Sequence, residues 1–199
     1  MGNLRSVQKA FEFIGKKAVV TSDRKKIEKS SLVVLPGVGS FDAAMKNLKK
    51  LNLISAIKKA VQVEKKPYLG LCLGLQLLFE KSAEGNSKGL GILKGEVKKF
   101  DLKKGLKIPH MGWNNVKLKV ISEKLKFFKN IKDNSYFYFV HSYYVKPKDK
   151  KIIATTTNYG IDFSSSILIE NIFATQFHPE KSQSNGLRLL KNYVDYTGN

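Results

Sequence analysis

Pro67-Tyr68-Leu69-Gly70-Leu71-Cys72-Leu73-Gly74-Leu75-Gln76-Leu77-Leu78-Phe79 is the stretch that decides how this chain is read. An apolar run ending in glycine predicts a buried strand, and Leu73, Leu77 and Leu78 then recur at helical spacing. The chain's single cysteine, Cys72, therefore stands on a strand-to-helix corner. Gly70 and Gly74 have no Cβ, so the backbone can turn tightly and strand and helix can pack close behind the thiol. A helix N-terminus directly after the sulfur favours the thiolate, the reactive form. A lone cysteine in an apolar segment ordinarily reads as a small buried hydrophobe. Glycines on both sides of a turn point instead to a nucleophile elbow.

Such a nucleophile needs a base, and the chain offers three histidines, His110, His141 and His178. His178 lies in Ile172-Phe173-Ala174-Thr175-Gln176-Phe177-His178-Pro179-Glu180. A short strand runs into the histidine, Pro179 blocks its continuation, and His178 and Glu180 are left exposed at the strand end. A base followed two residues later by a carboxylate fits the nucleophile, base and orienting group of a triad. His141 competes as the base, and the carboxylate of Glu180 decides for His178.

Gly-Leu-Cys-Leu-Gly-Leu-Gln together with Thr-Gln-Phe-His-Pro-Glu-Lys-Ser resembles the class I, triad-type glutamine amidotransferases. Within that class, Leu35 to Phe41, Lys88 to Gly91, Ile108 to Asn114 and Phe139 to Tyr143 are similar to the glutaminase subunits of imidazole glycerol phosphate synthase, an enzyme of histidine biosynthesis. The likeness runs from Gly2 to the last helix near Tyr196, with five separated motifs in the same order. It implies hydrolysis of the glutamine side-chain amide to glutamate and ammonia through a thioester on Cys72, with His178 moving the proton and Glu180 holding the imidazole. The oxyanion of the tetrahedral intermediate would be met by the backbone N–H of Leu73 and an amide of Gly37, Val38 or Gly39 in the Pro36-Gly37-Val38-Gly39 loop, where the glycines allow close approach. By resemblance, Gln76 and the backbone of His141-Ser142-Tyr143 hold the substrate glutamine. Also by resemblance, Lys181, Trp113 and Asn3 belong to the interface with a partner, and His110 and Trp113 sit in a turn on that side. The partner so implied is a cyclase subunit with a (β/α)₈ barrel, which forms a heterodimer with the glutaminase and consumes its ammonia. The same motifs suit a glutaminase serving another synthase, such as a sugar amidotransferase. A catalytically silent regulatory subunit is the third reading.

Composition bounds the alternatives. A chain of 199 residues suits one glutamine amidotransferase domain over residues 1–199, large enough to bury roughly 70% of its unfolded surface. No run approaches the roughly 20 apolar residues of a membrane span, and the start lacks a signal-peptide pattern, so a cytoplasmic protein is expected. One cysteine cannot form an internal disulfide, and no Cys/His cluster has zinc spacing, so neither a metal nor a cofactor is expected. No phosphate loop or dinucleotide fingerprint is present, and the synthase chemistry must reside elsewhere. The formal charge of +20 raises the question of a nucleic-acid partner. Of 36 basic residues, however, only Arg5, Arg24 and Arg188 are arginine, whereas base readout and bidentate phosphate contacts favour Arg. A lysine-rich solvated surface, whose field speeds encounter with an acidic protein, is the better reading.

Patterning predicts a helix over residues 4 to 14, a strand at Ala18-Val19-Val20, a buried strand at Leu32 to Leu35, helices over 41 to 50 and 52 to 63, and the strand Tyr68 to Leu71. Beyond Gly85, the β-rich segments Gly89 to Val97, Trp113 to Val120, Tyr136 to Val145 and Ile152 to Thr157 predict antiparallel pairing. A hairpin of Ile167 to Ile169 with Phe173 to Phe177 and a helix over 183 to 195 close the chain. The expected fold is α/β, a flavodoxin-like three-layer arrangement with a parallel core sheet and an antiparallel extension. Family members carry an apolar strand ahead of the Gly-Asn-Leu segment, whereas here a helix follows Met1 almost at once. Either Met1 is an internal start or the core sheet is expected to lack that strand, and a form with about eight further upstream residues is expected to be more stable.

Overall fold

The computed structural model describes residues 4–37, 39–101, 106–119 and 126–198. Its centre is three parallel strands, β1 (Val33–Gly37), β2 (Tyr68–Cys72) and β10 (Ile172–Thr175), with β2 in the middle. All five residues of β2 are buried, as a strand covered on both faces requires. Alternate side chains feed two cores. Tyr68 and Ala174 point into one with Phe41, Met45 and Leu48 of α3 (Phe41–Lys50) and Leu53 and Ile57 of α4 (Leu53–Lys58). Leu69, Leu71 and Phe173 point into the other with Val7, Ala10 and Phe11 of α1 (Leu4–Phe13) and Leu189, Leu190 and Tyr193 of α6 (Gln183–Thr197). Helices thus cover both faces of the sheet, the expected three layers.

The register of the parallel strands builds the site. Gly37 lies opposite Cys72, and Thr175 lies opposite Leu71, so the segments after β1, β2 and β10 emerge side by side at the carboxyl edge. The expected hairpin forms between β9 (Asp162–Ile169) and β10, with Glu170 at positive φ in its turn. From β9 the sheet continues antiparallel through β7 (Tyr143–Pro147) to β4 (Gly95–Lys99), which pairs in parallel with the short β3 (Lys81–Ser82). A second path runs from β9 through β8 (Ile153–Asn158) to β5 (His110–Leu118) and β6 (Ser135–His141).

Several expected elements differ in the structure. Ala18 to Val20 form no strand, and Val19 and Val20 are half exposed. Among the described residues β1 pairs only with β2, so no neighbour on that edge supplies the partner that β-propensity needs. The Tyr136 to Val145 segment is two strands. It changes neighbours at Ser142, from β5 to β4, and the Ser142 carbonyl accepts the N–H of Phe100 at the switch. Of Gly89 to Val97 only the last three residues lie in β4, because the backbone N–H groups of 90–93 turn back to bond Leu77, Leu78 and Phe79. That same contact shortens the elbow helix, α5, to Leu73–Gln76, since the carbonyls that would have continued it are already taken. His110 and Trp113 lie on β5 and not in a turn. A short helix, α2 (Arg24–Glu28), capped by the Asp23 side chain, had no periodic signal to announce it. Asn3, Val38 and Val120, and with them the Gly2-Asn3 segment, lie outside the described residues.

Candidate active site

Cys72 ends β2 and precedes α5 with φ 52° and ψ −102°, a left-handed conformation that costs an L residue on the order of 1–3 kcal/mol. Close packing holds it there. A Cβ on Gly74 would collide with the carbonyl oxygen of Leu35, and one on Gly70 would fall 2.9 Å from Ala174 Cβ, so both glycines let β1 and β10 approach the corner. The buried Tyr68 hydroxyl donates to the Gly74 carbonyl at 2.9 Å and ties the start of β2 to the helix it feeds.

His178 lies three residues beyond β10, which ends at Thr175 and does not run on to Pro179, and the His178 and Glu180 side chains are buried where exposure was expected. The His178 backbone N–H donates to Tyr138 O at 2.9 Å, and its carbonyl accepts the Ser182 hydroxyl at 2.6 Å. Its Nδ1 lies 2.8 Å from Glu180 Oε1, with both side chains essentially inaccessible. Burial alone would weaken the imidazolium, but hydrogen bonding and charge from Cys72 and Glu180 outweigh it and push the imidazole up to about 10. The ring is a strong proton acceptor beside the sulfur. The fold therefore brings the three expected residues together.

A cavity of about 270 Å³ opens on Cys72 and His178. Its lining includes Gly37, Gly39, Leu73, Gln76, His141, Ser142 and Tyr143, every described residue expected to hold oxyanion or substrate. A Cβ on Gly37 would sit 2.8 Å from Leu73 Cβ, so the loop after β1 lies directly against the residue after the cysteine. Glu84, the one acidic residue of the lining among the described residues, was not anticipated. It reaches the site because its carboxylate accepts the N–H of Phe41 at 2.7 Å, a contact between residues 43 positions apart that no local pattern signals.

His141 is not a base here. Its Nδ1 bonds the Tyr143 carbonyl at 2.8 Å, which makes that nitrogen the donor, and its Nε2 accepts from His110 Nδ1 at 3.0 Å. His110 Nε2 in turn lies 3.2 Å from Asn114 Nδ2. Both rings are buried and neutral: burial lowers His141 to about 3 and His110 to about 4. Because the unfolded chain would titrate these rings near 6.5, it takes up protons that the folded chain refuses as pH falls below that value. Each histidine then removes up to about 1.4 kcal/mol of stability per pH unit until its folded value is reached. His178 has the opposite sign, its contribution being intact below 6.5 and lost as pH rises toward 10. Thermal melts are expected to show a midpoint falling steadily from pH 6.5 to pH 4.5; a flat profile there would contradict the neutral pair.

Of the residues expected at a partner interface, Trp113 is 46% exposed and packs edge-on against Tyr138 at 6.1 Å, and the Lys181 ammonium lies 5.6 Å over the same Tyr138 ring. Met111, two residues before Trp113 on β5, is also exposed. Among the described residues no group of three or more His, Cys, Asp or Glu could hold a metal ion, and no helix is long and apolar enough to cross a membrane.

Comparisons with known proteins identify the family and the fold. The family model for class I glutamine amidotransferases matches residues 3–195. The imidazole glycerol phosphate synthase subunit HisH of Aquifex aeolicus is 53% identical, over 97% of this chain and 91% of that protein. HisH 1 of Campylobacter jejuni is 50% identical, over 97% of this chain and 94% of its own. A crystal structure of a glutamine amidotransferase superposes with a TM-score of 0.75 over 100% of this chain and 95% of the other at 16% identity, a likeness of fold.

Proposed function

We propose, for a chain that belongs to the class I glutamine amidotransferase family, that it is the glutaminase subunit of imidazole glycerol phosphate synthase. The observation that carries the reading is the near-full-length kinship to HisH subunits. The placement of Cys72 and His178 on one cavity, with the buried Glu180 carboxylate 2.8 Å from His178 Nδ1, supports it. Residues 1–199 are taken as one glutamine amidotransferase domain, in keeping with a family match over residues 3–195.

In the proposed reaction Cys72 Sγ attacks the side-chain amide carbon of glutamine, and the thiol proton passes to His178, whose high proton affinity suits it to receive one. Glu180 fixes the Nδ1–H tautomer and offsets the imidazolium charge. The oxyanion is met by the backbone N–H of Leu73 and by an amide of the Gly37-Val38-Gly39 loop, which the Gly37 contact brings against Leu73. His178 then gives its proton to departing ammonia, and water cleaves the thioester to release glutamate. Gln76 uses its NH₂ on Tyr143 O and Gln176 Oε1, each at 3.1 Å, so its own carbonyl oxygen is what remains for a substrate N–H. The carboxylate of Glu84 suits the α-ammonium, and the backbone N–H groups at Ser142 and Tyr143 suit the α-carboxylate.

The ammonia would pass to a cyclase subunit with a (β/α)₈ barrel, in a cytoplasmic heterodimer with lyase activity serving histidine biosynthesis. The Trp113, Tyr138 and Lys181 patch, with Asn3, is the proposed docking face, and a free catalytic thiol suits a reducing compartment. Gly39, at φ 98°, gives the oxyanion loop freedom to complete its donor set only on docking. Glutamate release by the isolated chain is therefore expected to rise about a hundredfold when the copurifying barrel protein and its nucleotide are added, the effect of one oxyanion donor. Equal rates, or copurification with a different synthase, would overturn the assignment.

A further inference from the structure

Gln176 is a buried amide that the mechanism above leaves unused. It lies between the end of β10 and His178, is fully inaccessible, and is pinned by its backbone N–H to Ser165 O at 2.8 Å. A buried amide must satisfy both its ends. Its Oε1 accepts from Gln76 Nε2 at 3.1 Å, and its Nε2 points at Cys72 Sγ at 3.6 Å. The orientation of both amides follows from the far end of the chain of bonds. The Tyr143 carbonyl can only accept, so Gln76 must present its NH₂ there, at 3.1 Å. The second N–H of that NH₂ then meets the Gln176 oxygen, which leaves the Gln176 NH₂ facing the sulfur.

We propose that Gln176 is a positioning residue for the nucleophile, one whose side-chain N–H holds Cys72 Sγ and favours its anionic form, with the donor end fixed by Gln76 and the Tyr143 carbonyl. The inference rests on the reading of Cys72 as the nucleophile. Sulfur carrying negative charge is the better acceptor, so a donor directed at it stabilises the thiolate over the thiol. The same bonds connect the nucleophile to two residues that line the substrate cavity, Gln76 and Tyr143. Substrate that draws on Gln76 therefore also acts on the amide holding the sulfur. A core filler would need neither the polarity nor the placement: an apolar side chain of equal length would fill the volume without a polar atom to satisfy.

The test reads the thiol directly. The rate at which iodoacetamide alkylates Cys72 is followed from pH 5 to pH 10 in the full chain and in Gln176→Met and Gln176→Glu, alongside thermal melts. Gln176→Met removes the donor at similar length and is expected to slow alkylation at pH 7 about tenfold, with the profile displaced to higher pH by roughly one unit. Gln176→Glu keeps the acceptor for Gln76 but turns an anionic oxygen toward the sulfur, and a larger displacement in the same direction is expected. A folded variant of either kind whose profile superposes on that of the original chain would overturn the proposal, and if one substitution prevents folding the other decides. Glutamine turnover is measured separately. A chain that alkylates as expected but hydrolyses no glutamine would refute the glutaminase reading and leave the role of Gln176 standing.

Discussion

Cys72→Ala is expected to abolish glutamine hydrolysis, by about 10⁴-fold or more, while melting within a few degrees of the unaltered chain. Loss of the nucleophile from a triad removes the covalent path and leaves only binding and oxyanion stabilisation, which is why such losses are so large. The fold should survive because alanine keeps the Cβ that the elbow already accommodates at φ 52° and gives up only the sulfur, which lies at the cavity and not within either core. The removed contacts include the 3.8 Å approach to the Val140 carbonyl and the Gln176 bond, both weak, and the interaction with His178 that raises its imidazole. Glutamate release under saturating glutamine, together with a thermal melt, checks both halves. Retained turnover in a folded Cys72→Ala chain would remove the thioester from the mechanism.

Gly74→Ala is the second large effect, and it acts through the fold. On an exposed helix this change is worth up to about 1 kcal/mol of stability in favour of alanine. At Gly74 the new methyl would overlap the Leu35 carbonyl oxygen, a backbone atom of β1 that cannot rotate away. Relief requires moving α5 off the sheet, which also displaces Leu73 from Gly37 and with it the proposed oxyanion site. The expected cost exceeds about 3 kcal/mol, beyond ordinary overpacking, and lowers the melting midpoint by roughly 10 °C in a chain of this size. A variant that melted at or above the original midpoint would mean that the strand and helix are less tightly packed than the contact implies.

What the sequence revealed and what it concealed follow a physical division. The elbow was legible because its constraints are local: two glycines, a cysteine and an apolar run within thirteen residues specify a tight strand-to-helix corner. His178 and Glu180 were legible as a local pair two positions apart, although the strand stops at Thr175 and both side chains are buried, not exposed at its end. The short length of α5 was hidden, since it depends on the segment 90–93 returning to take the carbonyls of 77–79. Glu84 and Gln176 were hidden too, because one enters the site through Phe41 and the other through Gln76, contacts made across 43 and 100 residues. Ala18 to Val20 carried strand propensity and formed none, because propensity describes a side chain's fit to a sheet and β1 offers those residues no paired neighbour. His141 looked like a rival base until His110, 31 residues away, was seen to occupy its second nitrogen.

The most direct test of the central claim is the site of covalent capture by a glutamine analogue that carries an electrophilic carbon in place of the side-chain amide. After incubation with the intact chain, with the proposed barrel partner present, intact-mass and peptide-mapping measurements are expected to show one adduct per chain, on Cys72, formed more slowly when glutamine is in excess. An adduct located on any other residue, or no adduct while glutamine is still being hydrolysed, would contradict Cys72 as the nucleophile of this glutaminase.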